Sequence, residues 1–275
     1  MNTDEIMELA LALAGLEELP ADSQVYHPGD GIKKVLIGID IGSAELWIAK
    51  ELGFDLAIAH HPQGGRAALD FAEVLNNHVH QMVAAGVPPE AAERAIAAKV
   101  FEARVRAQMS NYDHAPSIAR LIKMPFMNIH TPLDELGRQR MAAVVGELDN
   151  EATVAELIAR LMEELPEFRH AQTEIDIRLG HPENRIGRAI VSHGAGTNGG
   201  YPVAMAYFEH GVDTLIYIHC SLADSKRLQE EFAESGKNLV VTGHIASDSL
   251  GINPFIAALE RRGLVVQRIS GVIPG

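Results

Sequence analysis

Cysteine is nearly absent from the chain: Cys220 is the single thiol among 275 residues. One thiol excludes an internal disulfide and a thiolate-built zinc site, so any metal must be held by histidine and carboxylate. Cationic residues are scarce too, with 23 Lys and Arg against 37 Asp and Glu and a net charge of −14. That balance argues against nucleic acid as the main partner, because phosphate backbones are bound by clustered Lys and Arg that release counterions. A cation is the better electrostatic match. No apolar run approaches the roughly 20 residues that span a bilayer, and MNTDEIMELALALAGL is acidic where a signal peptide would be basic. These features predict a cytoplasmic protein with no membrane partner. Low-complexity segments, short repeats and Gly-, Ser- or Pro-rich linkers are also missing, which favours one large domain or two intimate ones. At this length the chain can bury roughly 70–75% of its unfolded surface.

What is present alternates between two periodicities. KKVLIGIDI (33–41) is a β-branched apolar run that reads as a strand, and SAELWIAKELG follows it with helical spacing, a Ser N-cap and a stopping glycine. DLAIAHH is the next strand, completing a β-α-β opening. From 66 to 123 the pattern is helical and long for a crossover, interrupted by the breaker GVPP. MPFMNIH (124–130) returns as a strand, followed by two amphipathic helices in LDELGRQRMAAVVGEL and TVAELIARLMEEL. A second half opens with strands in HAQTEIDIRLG (170–180) and GRAIVSHG (187–194). A helix near 202–210 comes next, then DTLIYIHC, SLADSKRLQEEFAES, NLVVTGH, ASDSLGINPFIAALERRG and LVVQRIS as alternating strands and helices. The expected class is α/β, with helices covering the sheets. The expected division is a metal-site core from 1–65, 124–150 and 187–275, with 66–123 as a helical insertion after the second strand.

In such folds chemistry collects at the carboxyl ends of strands, where loops escape the packing of the sheet. Six of the 13 histidines end five predicted strands: His60 and His61, His130, His193, His219 and His244. His130 precedes Asp134 by four residues in HTPLD, and His244 precedes Asp248 by four in GHIASD. That spacing puts both side chains on one side of a helix. Imidazole with carboxylate suits Zn, Mn, Fe, Co or Ni. Six such side chains are too many for one tetrahedral zinc, whereas two ions sharing the site would use them all.

AIAHHP, NIHTPLD and TGHIASD, in that order, resemble the three signatures of the Nif-three family, also called GTP cyclohydrolase I type 2 homologues. The opening KKVLIGIDIGSAEL is similar to the family's first β-α unit, and the likeness extends loosely over most of the chain. The resemblance implies two related α/β domains around a dinuclear metal site, commonly assembled as a ring-shaped hexamer. By motif, the implied ligands are His60, His61, His130, Asp134, His244 and Asp248. The chain departs from the family at QGG (63–65), where an apolar pair and an aromatic residue are usual, so a different substrate entrance is expected. IYIHCSLADSK stands in place of a TGD or TGE motif and leaves His219 or Asp224 as replacements. Asp248 stands where many relatives have the longer Glu.

Two cations about 3.5–4 Å apart would acidify a bridging water and stabilise charge developing on a phosphoryl or carbonyl oxygen. The expected function is therefore metal-dependent hydrolysis of a nucleotide or another small phosphate or amide, with His193 or His219 carrying a proton. The alternative is a non-catalytic oligomer that stores or delivers metal or binds another protein. Plainer readings accompany the motifs. Thr131 and Ser247 are good N-cap residues, and SHGAGTNGG (192–200) is a tight loop beside the site or a nest of N–H groups. His219 and Cys220 are expected to face opposite ways along a strand, and HVH (78–80) to lie on the surface of a helix. YDH (112–114) is expected to be structural.

Overall fold

The computed structural model describes residues 1–275. Its first half contains α1 (Thr3–Ala14), β1 (Gln24–His27), β2 (Lys34–Gly38), α2 (Ser43–Glu51), β3 (Leu56–Ala59), α3 (Gly65–Leu69), α4 (Phe71–Val74), α5 (Asn77–Ala84), α6 (Pro89–Met109), α7 (His114–Ile122), β4 (Phe126–Asn128) and α8 (Thr131–Gly146). The second contains α9 (Val154–Glu164), α10 (Pro166–His170), β5 (Asp176–Leu179), β6 (Ala189–Val191), α11 (Gly200–Glu209), β7 (Thr214–Tyr217), α12 (Leu222–Phe232), β8 (Asn238–Val241), α13 (His244–Arg261) and β9 (Val265–Ile269). No helix is long and apolar enough to cross a membrane.

Two sheets repeat one topology. The first runs β1-β4-β3-β2-β9 and the second β5-β8-β7-β6. In each, the opening strand is antiparallel to its neighbour, and the next three strands are parallel. β9 returns from the end of the chain to extend the first sheet beside β2. β5 gives the second sheet a strand from 151–186, outside the three segments assigned to the core by sequence.

Strand alternation explains the layering. Val35, Ile37, Leu56 and Ile58 point into one core, while Leu36, Ala57 and Ala59 point into another, against α2 and α7. The second sheet divides likewise: Leu215, Tyr217, Leu239 and Val241 face a core shared with α5, α6, α11 and α12, and Ile216 and Val240 face a core shared with α8, α9 and α10. α8 and α13 lie between the sheets and contribute to both inner cores, through Leu133 and Leu136 against Met141 and Val144 on α8, and Ile252 and Phe255 against Ala246 and Leu250 on α13. Buried on both faces, β3, β7 and β8 are continuous apolar runs, as strands covered by helices must be.

The central helices touch through glycine. A β-carbon on Gly251 would lie 1.7 Å from the Leu133 carbonyl oxygen, and one on Gly137 would lie 3.0 Å from that of Ser247. Only glycine permits this approach, which brings Asp134 on α8 and Asp248 on α13 to one place.

Candidate metal centre

The carboxyl ends of parallel strands from both sheets converge on the amino-terminal turns of α8 and α13. His60 and His61 follow β3, His130 follows neighbouring β4, His193 follows β6 and His219 follows β7, while His244 opens α13 after β8. All six sequence-nominated ligands meet here. His60 Nε2 lies 3.0 Å from Asp134 Oδ1 and 3.8 Å from Asp248 Oδ2. His61 Nε2 and His244 Nε2 lie 3.4 and 3.3 Å from the same Asp248 oxygen, and His130 Nε2 lies 3.6 Å from Asp134 Oδ2. Ligand atoms of three overlapping trios, His60/His61/His130, His61/His244/Asp248 and His60/Asp134/Asp248, fall within 4.8 Å of one another.

Three imidazoles are held by the nitrogen facing away from the cluster. His60 Nδ1–H donates to the Ile129 carbonyl at 3.0 Å, His61 Nδ1–H to Asp40 Oδ1 at 2.8 Å and His130 Nδ1–H to Asp22 Oδ2 at 2.7 Å. These acceptors cannot donate, so they fix the proton on Nδ1 and turn each Nε2 lone pair inward, as metal-ligating histidines require. Asp22 is fully buried and also accepts from the Thr131 hydroxyl at 2.7 Å. Sequence reasoning missed both carboxylates. Asp40 just follows β2, where the strand-end rule would have found it had it been applied beyond histidine. Asp22 precedes a four-residue antiparallel strand and carries no local signal.

Four atoms at the centre, His60 Nε2, Asp134 Oδ1, His193 Nε2 and Asp248 Oδ2, are buried without a hydrogen-bond partner. Such orphans are costly unless something absent from the polypeptide satisfies them. Their chemistry, imidazole nitrogen and carboxylate oxygen, fits a divalent transition metal. Charge agrees with this. Burial lowers the basicity of His60, His61 and His130, but Asp134 and Asp248 more than offset it for His60, Asp248 and Asp40 do so for His61, and Asp134 with Asp22 pushes His130 up to about 9. Burial raises Asp134 and Asp248, yet the surrounding imidazoles leave both below the ordinary carboxylate range. A pair of carboxylates that stays ionised despite burial, and holds protons on the imidazoles around it, offers the same field to a cation.

Of the two proton-carrier candidates, His193 is part of the cluster wall, its Nε2 3.6 Å from Asp134 Oδ1. His219 stands one layer out, its ring 4.7 Å from that of His244. Burial and the adjacent His244 lower it to about 4, so it is neutral near pH 7. Asn198 Oδ1 accepts from Gly200 N at 2.8 Å, which turns the amide nitrogen toward His219 Nδ1. The His219 proton therefore sits on Nε2.

Several expectations need correction. Thr131 and Ser247 do not cap their helices: His130 and Gly243 occupy the N-cap positions, Thr131 donates to Asp22, and Ser247 donates to the Gly243 carbonyl. β7 stops at Tyr217, so strand alternation does not separate His219 from Cys220, and both line one cleft. Burial raises the Cys220 thiol, which opposes a thiolate role. His78 is fully buried rather than on the surface, its Nε2 3.2 Å from the Thr197 hydroxyl. Only His80 of that stretch is exposed. His114 opens α7, 3.2 Å from the Ser43 hydroxyl.

Beside the cluster lies a cleft of about 610 Å³, large enough for a small-molecule ligand. Helices of the 66–123 segment form one wall, and the 197–198 and 219–221 loops with the first turn of α12 form the other. It reaches the cluster through Pro62, through His219, and through Phe71, whose ring is 6.0 Å from that of His130.

A doubled four-strand topology with a His/Asp cluster between its halves defines a two-unit α/β protein built around a site fit for metal. A NIF3 superfamily protein from Sphaerobacter thermophilus is 50% identical, with 98% of each chain covered and a TM-score of 0.93. The chain belongs to the NIF3 superfamily. Its fold is shared with a hypothetical protein of Staphylococcus aureus (14% identity, 98% of this chain and 96% of that one, TM-score 0.55) and with a Thermus thermophilus protein (15%, 98% of each, 0.51). No protein-family model matches the sequence, and no curated protein matches it.

Proposed function

We propose that the chain holds two divalent transition-metal ions through His60, His61, His130, Asp134, His244 and Asp248, and that it hydrolyses a nucleotide or another small phosphate or amide. The observation that carries this reading is the set of orphaned His and Asp atoms turned into one space at the mouth of a ligand-sized cleft. Bound metal would supply an acidified water and Lewis-acid stabilisation of developing negative charge. His219, neutral with its proton on Nε2, can donate a hydrogen bond to negative charge that develops on the substrate at the cleft side. His193, with its free Nε2 against Asp134, can receive a proton. A cytoplasmic location fits a chain with one thiol.

Elemental analysis of untagged protein tests the site, with close to two metal ions per chain expected. His61→Ala combined with Asp134→Ala should abolish both metal binding and turnover while leaving the circular dichroism spectrum intact. Retained turnover in that variant would remove the hydrolase reading.

The second reading is a metal-holding homo-oligomer, a hexamer by family resemblance, without turnover. It is favoured by Phe101, Val105 and Met109, which recur every four residues along one side of α6 and stay exposed, Met109 by 80%. Absence of turnover across a metal-supplemented nucleotide and phosphate-ester panel, together with a multimeric mass by light scattering, would select it.

A further inference from the structure

The second sheet is one strand short of the first. β2 and β6 hold equivalent places, and the outer side of β2 is closed by β9, parallel to it from Lys34↔Val265 to Gly38↔Ile269. No strand pairs with the outer side of β6. The Arg188 carbonyl accepts from Thr214 N–H, and Ser192 N–H donates to the Ile216 carbonyl. In a parallel ladder residues 188, 190 and 192 therefore serve β7, while Ala189 and Val191 turn N–H and C=O outward. No hydrogen bond within the chain reaches these outward groups. On two other edge strands a glutamine masks the backbone: Gln229 donates to the Arg178 carbonyl of β5 at 2.8 Å, and Gln267 to the Arg268 carbonyl of β9 at 3.0 Å. An unmasked edge is a template for another strand.

Two adjoining cavities of about 440 and 300 Å³ run along this edge and share Arg138, Arg188, Ile190 and Val191. The segment after α8 closes only the near end, where Gly187 N–H donates to the Asn150 carbonyl and Ile186 N–H to that of Ala152. The groove has unlike walls. Ala142, Val145 and Leu148 make the α8 side apolar, whereas α5 brings Asn77, His80 and Gln81, whose side-chain oxygen is buried without a partner. Arg188 donates to the Ala85 carbonyl at 2.7 Å and forms no ion pair; neighbouring Asp213 is held by Lys237 at 2.9 Å. Arg138 pairs with Glu135 at 2.6 Å. One uncommitted guanidinium thus remains in the groove of a chain whose net charge is −14.

We propose that β6 takes up an extended segment of a partner protein as an added strand, parallel to it as β9 is to β2, with apolar side chains toward α8 alternating with acidic ones toward Arg188. In that ladder the segment's residue beside Ile190 donates to the Ala189 carbonyl and accepts from Val191 N–H, and its side chain shares the face of Ile190 and Arg188. The acidic positions are therefore the ones that bond the edge. Backbone bonds supply affinity, and the two walls supply selectivity. A second copy of the chain is a poorer occupant: its β5 and β9 are masked, and its β6 would bring another Arg188 instead of an acid. Binding here is read without turnover and does not depend on the hydrolase reading.

The probe is an acetylated, amidated heptapeptide that alternates valine with glutamate, titrated into as-purified, metal-loaded protein by calorimetry. Saturable binding is expected. Methylating the glutamate N–H groups of the probe should weaken it at least about tenfold, and lysine in place of glutamate about as much. Arg188→Gln should weaken the parent probe about fivefold. Ala189→Pro removes an outward N–H and puts a ring into the groove, at an edge position where proline is tolerated, and should abolish binding with metal content unchanged. Four results each overturn the proposal. They are no saturable binding; equal affinity for the methylated probe, because no strand then forms; an affinity that neither Arg188→Gln nor Ala189→Pro changes, because the acids then sit on metal; and a multimer by light scattering that Ala189→Pro dissociates, because a second copy then holds the edge.

Discussion

Asp22 has few alternative ways to spend its charge. One of its carboxylate oxygens accepts from both His130 Nδ1 and the Thr131 hydroxyl at 2.7 Å, and the group is fully buried. Asn in its place offers a single acceptor oxygen and turns an N–H₂ toward a neighbour that also donates. His130 then loses its fixed tautomer, and Asp22→Asn should weaken metal binding by about 10- to 100-fold in chelator competition, the usual cost of losing a partner behind a ligand. Unchanged affinity would reduce Asp22 to packing. His78 is the second residue with a measurable consequence. Burial lowers it to about 4 from 6.5, with Thr197 opposing and Lys99 assisting. The folded protein therefore excludes a proton that the unfolded chain accepts. Stability from this group is complete above pH 6.5 and falls progressively down to about pH 4, by roughly 3 kcal/mol in total. The wild-type minus His78→Gln difference in denaturant midpoint should therefore fall as the pH drops through that window. Parallel curves would show that His78 does not titrate there.

At the scale of elements, the decisive feature is the crossing of α8 and α13. Gly251→Ala forces a methyl group into the Leu133 carbonyl, where backbone must move, and should cost at least about 3 kcal/mol, at the upper end of overpacking. The same displacement separates Asp134 from Asp248, so metal content should fall in whatever fraction remains folded. Gly146→Ala, with nothing near its added carbon, should be neutral or mildly stabilising. Similar losses for both variants in thermal melts would mean that helix propensity, not the crossing, sets the effect. The sequence carried much of this level. β3, β4, β7 and β8 were legible as apolar runs ending in histidine or in a short turn before it, because burial on both faces and chemistry at one end are local properties. β1 was not legible: QVYH is a short antiparallel strand at the sheet edge, with one buried residue, Tyr26. The pairing of β9 with β2 was not legible either, since the partner lies more than 220 residues away. The two glycines were legible as glycines, but not as a contact, because their meaning depends on the other helix.

For the whole molecule, the cluster joins two halves that also meet through α8 and α13, through α5 and α6 packed on the second sheet, and through β9 in the first sheet. His60, His61, His130 and Asp134 come from the first half; His244 and Asp248 follow the second sheet. A cation bridging them stabilises the folded chain and not the unfolded one, so removing it must lower the melting temperature by mass action. At free metal about 100 times the dissociation constant, the loss is about 2.7 kcal/mol, which for a chain of this size is a fall of roughly 5–10 °C. The protonated imidazoles left behind replace only part of that attraction, and they do so best at low pH. The effect of chelator should therefore be larger at pH 8 than at pH 6, where His130, at about 9, and its raised neighbours His60 and His61 retain more of their protons. Calorimetric scans of stripped and reloaded protein at the two pH values check this. A melting temperature indifferent to chelation at both would mean that the two halves are held by their packed helices and the β9–β2 pairing alone, and that the buried His and Asp atoms find their partners within the polypeptide.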